Sequence, residues 1–153
     1  MKCRTRRMDK TLSMKIEFGG NPVLLKLIRL CLSEFGKDFG YNPNDIYDIT
    51  IAVNEICANI MEHVYRWDSN SEIVLKIKAD PVKMVISIRD FGEKSLPAEF
   101  KSRDLDDMRE GGLGVFLVHE LMDEIRYNQN LKVGNEIILT KFRKENVEKA
   151  NEV

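Results

Sequence analysis

Asn54-Glu55-Ile56-Cys57-Ala58-Asn59 is the stretch on which the reading of this chain turns, because it sets a carboxylate and a carboxamide four residues apart inside an apolar helical pattern. Around it, Ile46, Ile49, Val53, Ile56, Cys57, Ile60 and Val64 recur at helical spacing, so a helix is expected from Asn42-Pro43 to about Arg66. Asn42 would cap that helix and Pro43 would take its first position. Glu55 and Asn59 then project about 40 degrees apart around the axis, close enough to meet a common ligand. Their face lies opposite the apolar stripe, and periodicity alone makes them a solvated surface pair. Asparagine is a poor interior helix residue, which leans the other way.

Two further polar stretches interrupt apolar elements. Val82, Met84, Ile86 and Ile88 alternate, as do Ile73, Leu75 and Ile77, so residues 72–79 and 82–89 read as a hairpin turning at Asp80-Pro81. Asp90-Phe91-Gly92 follows it. Asp90 is either an ordinary aspartate leaving a strand or a fixed acceptor for an exocyclic amino group, with Gly92 letting the backbone close on a ring. Gly111-Gly112-Leu113-Gly114 then runs into Val115-Phe116-Leu117-Val118, the start of a helix expected over residues 112–122. Glycines cost helix stability, so the backbone there either approaches something closely or adopts positive φ. A phosphate at a helix N-terminus meets that need, and a hinge for the preceding loop is the alternative.

The remaining segments complete one domain. Leu12, Met14, Ile16 and Phe18 alternate as a strand ended by Gly19-Gly20. A helix opened by Asn21-Pro22 carries Leu24, Leu27, Ile28, Cys31, Leu32 and Phe35 on its apolar stripe and ends between Gly36 and Gly40. Residues 93–110 are charged and aperiodic, a loop of the length found in functional lids. Strands over 123–129 and 136–142, turning at Val133-Gly134-Asn135, close the fold. With 153 residues and 43% hydrophobic content, the chain suits a single core over residues 12–143 between a basic tail, 1–11, and a frayed one, 144–153.

Several function classes are disfavoured. A formal net charge of -1 gives no global pull toward nucleic acid or an anionic membrane. Cys3, Cys31 and Cys57 are odd in number and far apart, which fits a reducing cytoplasmic compartment better than a disulfide framework or a zinc site. The basic opening leads into no signal core, and no stretch reaches the length of a membrane span. The glycine run lacks the Lys-Ser/Thr of a P-loop, and no dinucleotide fingerprint follows the first strand. The two histidines, His63 and His119, have neither zinc spacing nor a serine elbow to serve, and His63 is expected to be a partly buried helix residue.

In order and spacing, the three polar stretches resemble the N box and the two glycine boxes of the Bergerat-fold (GHKL) ATPases, and within these the small bacterial anti-sigma factors that are also serine-protein kinases. The likeness spans about residues 12–143. It is most specific over Arg109 to Val118 with Leu121-Met122-Asp123, and next over Glu55 to Asn59 with His63-Val64-Tyr65. It implies an α/β (α+β) two-layer sandwich, a mixed and mainly antiparallel sheet with helices on one face. It further implies that Asn59 ligates Mg²⁺ bridging the phosphates of ATP, that Asp90 reads the adenine amino group and that Gly92 shapes the adenine pocket. Arg109, Gly111, Gly112, Leu113 and Gly114 would bind the phosphates under a lid formed by residues 93–110. Glu55 would be the general base that takes the proton of a substrate serine.

The partners implied are a STAS-type anti-sigma antagonist as substrate, a sigma factor, and a second copy in a homodimer. The chain departs from the pattern in three places. No second glycine follows Gly92, and no histidine-bearing dimerisation segment precedes the boxes, with His119-Glu120-Leu121 falling after the glycine loop; both argue against a histidine kinase. Gly134-Asn135-Glu136 stands where many relatives carry a threonine near the adenine. A non-catalytic ATP-binding module that acts by partner binding alone is the alternative.

Overall fold

Among the described residues, alternating apolar side chains build a five-stranded sheet, and three helices cover its apolar face. The computed structural model describes residues 11–94 and 112–144, so the basic tail, most of the charged segment with Arg109 and Gly111, and the chain end lie outside the described residues. In chain order the elements are β1 (Leu12–Phe18), α1 (Leu24–Asp38), α2 (Pro43–Asn59) continued by a π-helical turn (Ile60–Val64), β2 (Ile73–Ala79), β3 (Lys83–Asp90), α3 (Gly112–Leu121), β4 (Glu124–Tyr127) and β5 (Asn135–Phe142). The strands lie in the order β1-β2-β3-β5-β4. All four ladders are antiparallel, so the mixed, mainly antiparallel sheet expected from the resemblance has no parallel pair among the described strands.

Local chemistry fixes the connections. The Asp80 carboxylate accepts the N–H groups of Val82 at 2.7 Å and Lys83 at 2.8 Å, closing the β2–β3 hairpin at the expected place. Asn42 caps α2 as read from the sequence, its side-chain oxygen accepting the Asp45 N–H at 2.8 Å with Pro43 next in line. Asn21 instead serves a turn ahead of α1: its side chain accepts the Val23 N–H and its carbonyl the Leu24 N–H, both at 3.0 Å.

Period-2 burial gives the sheet a dry face. Leu75, Ile77, Met84, Ile86, Ile88 and Leu139 are sealed from solvent and pack against Leu25, Ile28 and Leu32 of α1, Ile49, Val53 and Ile56 of α2, and Val118 of α3. On the other face Lys76 and Lys78 are exposed and Ser87 and Arg89 half-buried. The α1 stripe differs from the sequence reading. Leu27 is 56% exposed and Leu25 is buried in its place. Gly36 accounts for the shift, because a Cβ there would lie 2.5 Å from Ile46 Cγ1, so α1 turns its bare face to α2. The helix therefore runs through Gly36 to Asp38, and Gly40, at φ +72, ends it.

Candidate active site

The helix α2 presents Glu55 and Asn59 from consecutive turns, and both are half-buried. What covers them is α3. A Cβ placed on Gly114 would lie 2.7 Å from Glu55 Oε2 and 3.8 Å from Asn59 Nδ2. The solvated surface pair given by periodicity is therefore the wall of an interhelical seam. Gly114 does not adopt positive φ, so close approach is what requires the glycine. Gly112 opens α3, and Leu113 follows it. From the other side Arg29 Nη1 donates to Asn54 Oδ1 at 2.7 Å, bracing α2 one residue before Glu55.

A second group forms where β3 ends. Asp90 is its last residue and is 4% exposed. Its Oδ1 accepts the Gly92 N–H at 3.0 Å and Asn135 Nδ2 at 3.1 Å. Burial pushes the carboxyl above its ordinary range, and the hydrogen bonds from Gly92 and Asn135 pull part of the way back. Gly92 has no room for a side chain, since a Cβ would lie 2.1 Å from Val64 Cγ1. Gly134, at φ +75, passes so close that its Cβ would sit 2.0 Å from the Asp90 carbonyl oxygen. Asn135 Nδ2 also donates to the Glu93 carbonyl at 2.9 Å, while Lys94 Nζ reaches the carbonyls of Gln129 at 3.2 Å and Leu131 at 3.1 Å. The chain leaving the site is thus tied to the β4–β5 connection.

Asn135 and Tyr65 are the residues that sequence reasoning did not place. Asn135 pairs with Asp90 in the β3–β5 register, a relation visible only once that ladder is known. The hydroxyl of Tyr65 accepts the Phe91 N–H at 2.8 Å and donates to the Glu72 carbonyl. The expectation for His63 needs correction: it lies in the π-helical turn with a side chain 61% exposed, beside Glu62. His119 is exposed as well.

Glu55 and Asn59 supply two chemistries at one place. Glu55 offers a proton acceptor, and Asn59 offers a neutral oxygen of the kind Mg²⁺ accepts. Among the described residues no three metal-ligating side chains cluster, so an ion at Asn59 would draw most of its ligands from phosphate and water. At Gly114 the α3 backbone packs directly against the Glu55 carboxylate, two residues into a helix whose start is the kind of place that offers N–H donors to an anion. Buried Asp90, with its carboxylate held by two donors, suits a base that offers an amino group.

Comparison with known proteins fits this geometry. Residues 18–141 match the family described as histidine kinase-like ATPase domain. The chain is 33% identical over 129 residues to serine-protein kinase RsbW of Bacillus licheniformis, covering 79% of each protein. It is 31% identical over 138 residues to the RsbW of Bacillus subtilis (strain 168), covering 84% of each. Against the RsbW of Staphylococcus aureus (strain MSSA476) the identity is 35% over 130 residues, covering 78% of this chain and 80% of that one. Among solved structures, the RsbU and RsbW domains of a Mycobacterium tuberculosis protein superpose with a TM-score of 0.63 at 21% identity, over 87% of this chain and 33% of that one. The SiaB–SiaC complex of Pseudomonas aeruginosa gives 0.60 at 14% identity, over 84% of this chain and 88% of that one, and at such identities the likeness is one of fold. The chain belongs to the histidine kinase-like ATPase domain family, among the RsbW serine-protein kinases.

Proposed function

We propose that the chain is an ATP-dependent serine-protein kinase that phosphorylates a STAS-type anti-sigma antagonist and also sequesters a sigma factor. The observation that carries the reading is the seam at Gly114, where Glu55 and Asn59 meet bare helix backbone with no Cβ between them. A serine hydroxyl brought to this seam would pass its proton to Glu55 as its oxygen attacks the γ-phosphorus, and the bond from that phosphorus to the β,γ-bridging oxygen would break to release ADP. Asn59 would hold Mg²⁺ against the phosphates, and the ion supplies charge neutralisation for the transferred group. Arg109 and the glycines from Gly111 to Gly114 would surround those phosphates, with residues 93–110 as their cover. Asp90 would accept from the adenine amino group, beside Gly92.

Phosphoryl transfer asks little covalent work of a protein, so positioning and charge stabilisation dominate, and Glu55 orients the nucleophile. That the matched relatives are serine-protein kinases supports the acceptor chosen. No helix among the described residues is long and apolar enough to cross a membrane. We take residues 12–143 as the kinase domain, the cytoplasm as its place and a homodimer as its state.

The test is labelled ATP with a purified STAS partner, comparing the wild type with Glu55→Gln. Loss of about 10²–10⁴-fold in transfer with retained ATP binding is expected for removal of a general base. Equal transfer by both proteins removes Glu55 from the chemistry, and ATP binding with no transfer by the wild type favours the non-catalytic module.

A further inference from the structure

His63-Val64-Tyr65, part of the resemblance, has no place in the chemistry assigned so far. The chain leaves α2 through the π-helical turn, in which the Tyr65 N–H donates to the Ile60 carbonyl at 3.0 Å, five residues back. Such a turn shifts everything after it by one position on the helix, a rotation of roughly 100 degrees, and π turns concentrate at functional sites. Here it delivers two side chains to the end of β3. Val64 Cγ1 occupies the space that a Cβ on Gly92 would need. The Tyr65 hydroxyl receives the N–H of Phe91, next to Asp90, and donates to the carbonyl of Glu72. Glu72 precedes Ile73, which is the β2 register partner of Asp90. One hydroxyl therefore bridges Glu72 and Phe91, the residues just beyond the last pair of that ladder.

The backbone beyond Tyr65 is held with equal care. Arg66 and Trp67 adopt φ of 48 and 64, the left-handed region that non-glycine residues seldom enter. The Trp67 N–H donates to the Met61 carbonyl at 2.8 Å and the Asp68 N–H to the Tyr65 carbonyl at 2.9 Å, which keeps the reversal in place. Tyr65 also lies six residues after Asn59, so one short, hydrogen-bonded length of chain separates the amide assigned to the phosphates from the loop assigned to the base.

We propose that Tyr65 is a positioning residue for base recognition: its hydroxyl, with Val64 beside Gly92, holds Asp90-Phe91-Gly92 in the geometry that admits the adenine amino group and links that loop to Asn59. The inference rests on the proposed role of Asp90 in reading adenine. Tyr65→Phe keeps the ring and removes both hydroxyl bonds. ATP and purine riboside 5′-triphosphate, which lacks the 6-amino group, are titrated against the wild type, Asp90→Asn and Tyr65→Phe. The wild type should prefer ATP by about tenfold or more, the value of one hydrogen bond to a charged acceptor.

In Tyr65→Phe, ATP should weaken about tenfold while the analogue moves less than about twofold, so the preference collapses. A merely structural tyrosine would weaken both nucleotides alike and leave the ratio intact, and that result overturns the proposal. If Asp90→Asn abolishes the preference and Tyr65→Phe retains it, only the role of Tyr65 falls. If the wild type has no preference, the adenine reading of Asp90 falls and this proposal with it. Should Tyr65→Phe not fold, Val64→Ala keeps the hydroxyl bonds and opens the space beside Gly92; it should lower the ratio too, and an unchanged ratio overturns the proposal.

Discussion

Gly114→Ala separates the chemistry of the seam from the stability of the fold. Within α3, replacing glycine by alanine favours the helix by about 0.5–1 kcal/mol, because less backbone freedom is lost on folding. The new methyl group would sit 2.7 Å from Glu55 Oε2, while ordinary contact begins near 3.4 Å, so the carboxylate must retreat by at least about 0.7 Å. It is the far end of a flexible side chain, and an off-rotamer shift of that kind costs about 0.5–1.5 kcal/mol. The two terms offset each other, and the unfolding free energy should stay within about 1 kcal/mol of the wild type. Asn59 Nδ2, at 3.8 Å from the same point, is already at contact distance and need not move.

The rate is where the change should appear. Moving a catalytic group by about 1 Å lowers turnover on the order of 100-fold, or about 2.7 kcal/mol of barrier. Transfer from labelled ATP to a STAS partner should therefore show kcat falling about 100-fold. Because the whole effect is routed through Glu55, Gly114→Ala should cost almost nothing further in a Glu55→Gln background, a cycle that isolates the coupling. A Gly114→Ala protein with wild-type kcat refutes the reasoning. So does one whose kcat falls equally in both backgrounds, since the methyl group would then act on something other than Glu55.

Two other substitutions probe the base end of the site. Gly92→Ala puts a methyl group 2.1 Å from Val64 Cγ1, and Val64 packs against the core, so overpacking should cost about 1–3 kcal/mol in urea unfolding. The double variant with Val64→Ala should recover most of that loss, and no recovery would move the strain elsewhere. Asp90→Asn tests the buried carboxylate. The folded state holds the Asp90 proton more tightly than the unfolded chain does, so its contribution is present at low pH and lost as pH rises through the elevated value. Asp90→Asn should thus stabilise the nucleotide-free protein at pH 7, and the gain should shrink on acidification and vanish only below the ordinary aspartate value of about 3.9, where the carboxyl becomes protonated in both states. Urea midpoints at pH 7 and at about pH 3 decide it, and a gain that grows on acidification contradicts the assignment.

Local rules sufficed where a few neighbouring residues decide the outcome. Asn42-Pro43, Asp80-Pro81 and the alternation from Ile73 to Ile88 each carry their own turn or period, and each lies where those rules put it. The rules failed where a distant element intervenes. Leu25 replaces Leu27 in the core because Gly36 lets α1 lie against Ile46, a contact between helices that no single-helix pattern contains. Glu55 and Asn59 look solvated on the wheel because their cover, Gly114, comes more than fifty residues later. The π-helical turn has no spacing signature: Val64 packs against the core as the α2 stripe implies, and the turn also sets it beside Gly92, which that spacing does not show. Asn135 stood out only as a departure from a pattern, and the β3–β5 register is what gives it Asp90 as a neighbour. The glycine run was legible as a need for bare backbone, and at Gly114 that need is met by close packing.

The helix that carries those glycines is anchored at its opposite end. Lys141, 3% exposed, donates to the Leu121 carbonyl at 2.6 Å and to Asp48 Oδ2 at 3.0 Å, so the last turn of α3 is bound to β5 and to the first half of α2 at once. Asp123, just past α3, adds two ties to β5: its N–H donates to the Thr140 carbonyl at 3.0 Å and its carboxylate accepts the Phe142 N–H at 2.7 Å. Separating a buried ion pair by removing one partner costs about 3–5 kcal/mol, so this end of α3 is a fixed point. A lysine beside terminal carbonyls also complements the negative end of the helix dipole. Near the positive end, Gly114 lies so close to Glu55 that a Cβ would fall 2.7 Å from its Oε2. Side chains thus fix one end of α3, and the proposed phosphate site would draw on the N–H donors and partial positive charge of its glycine end.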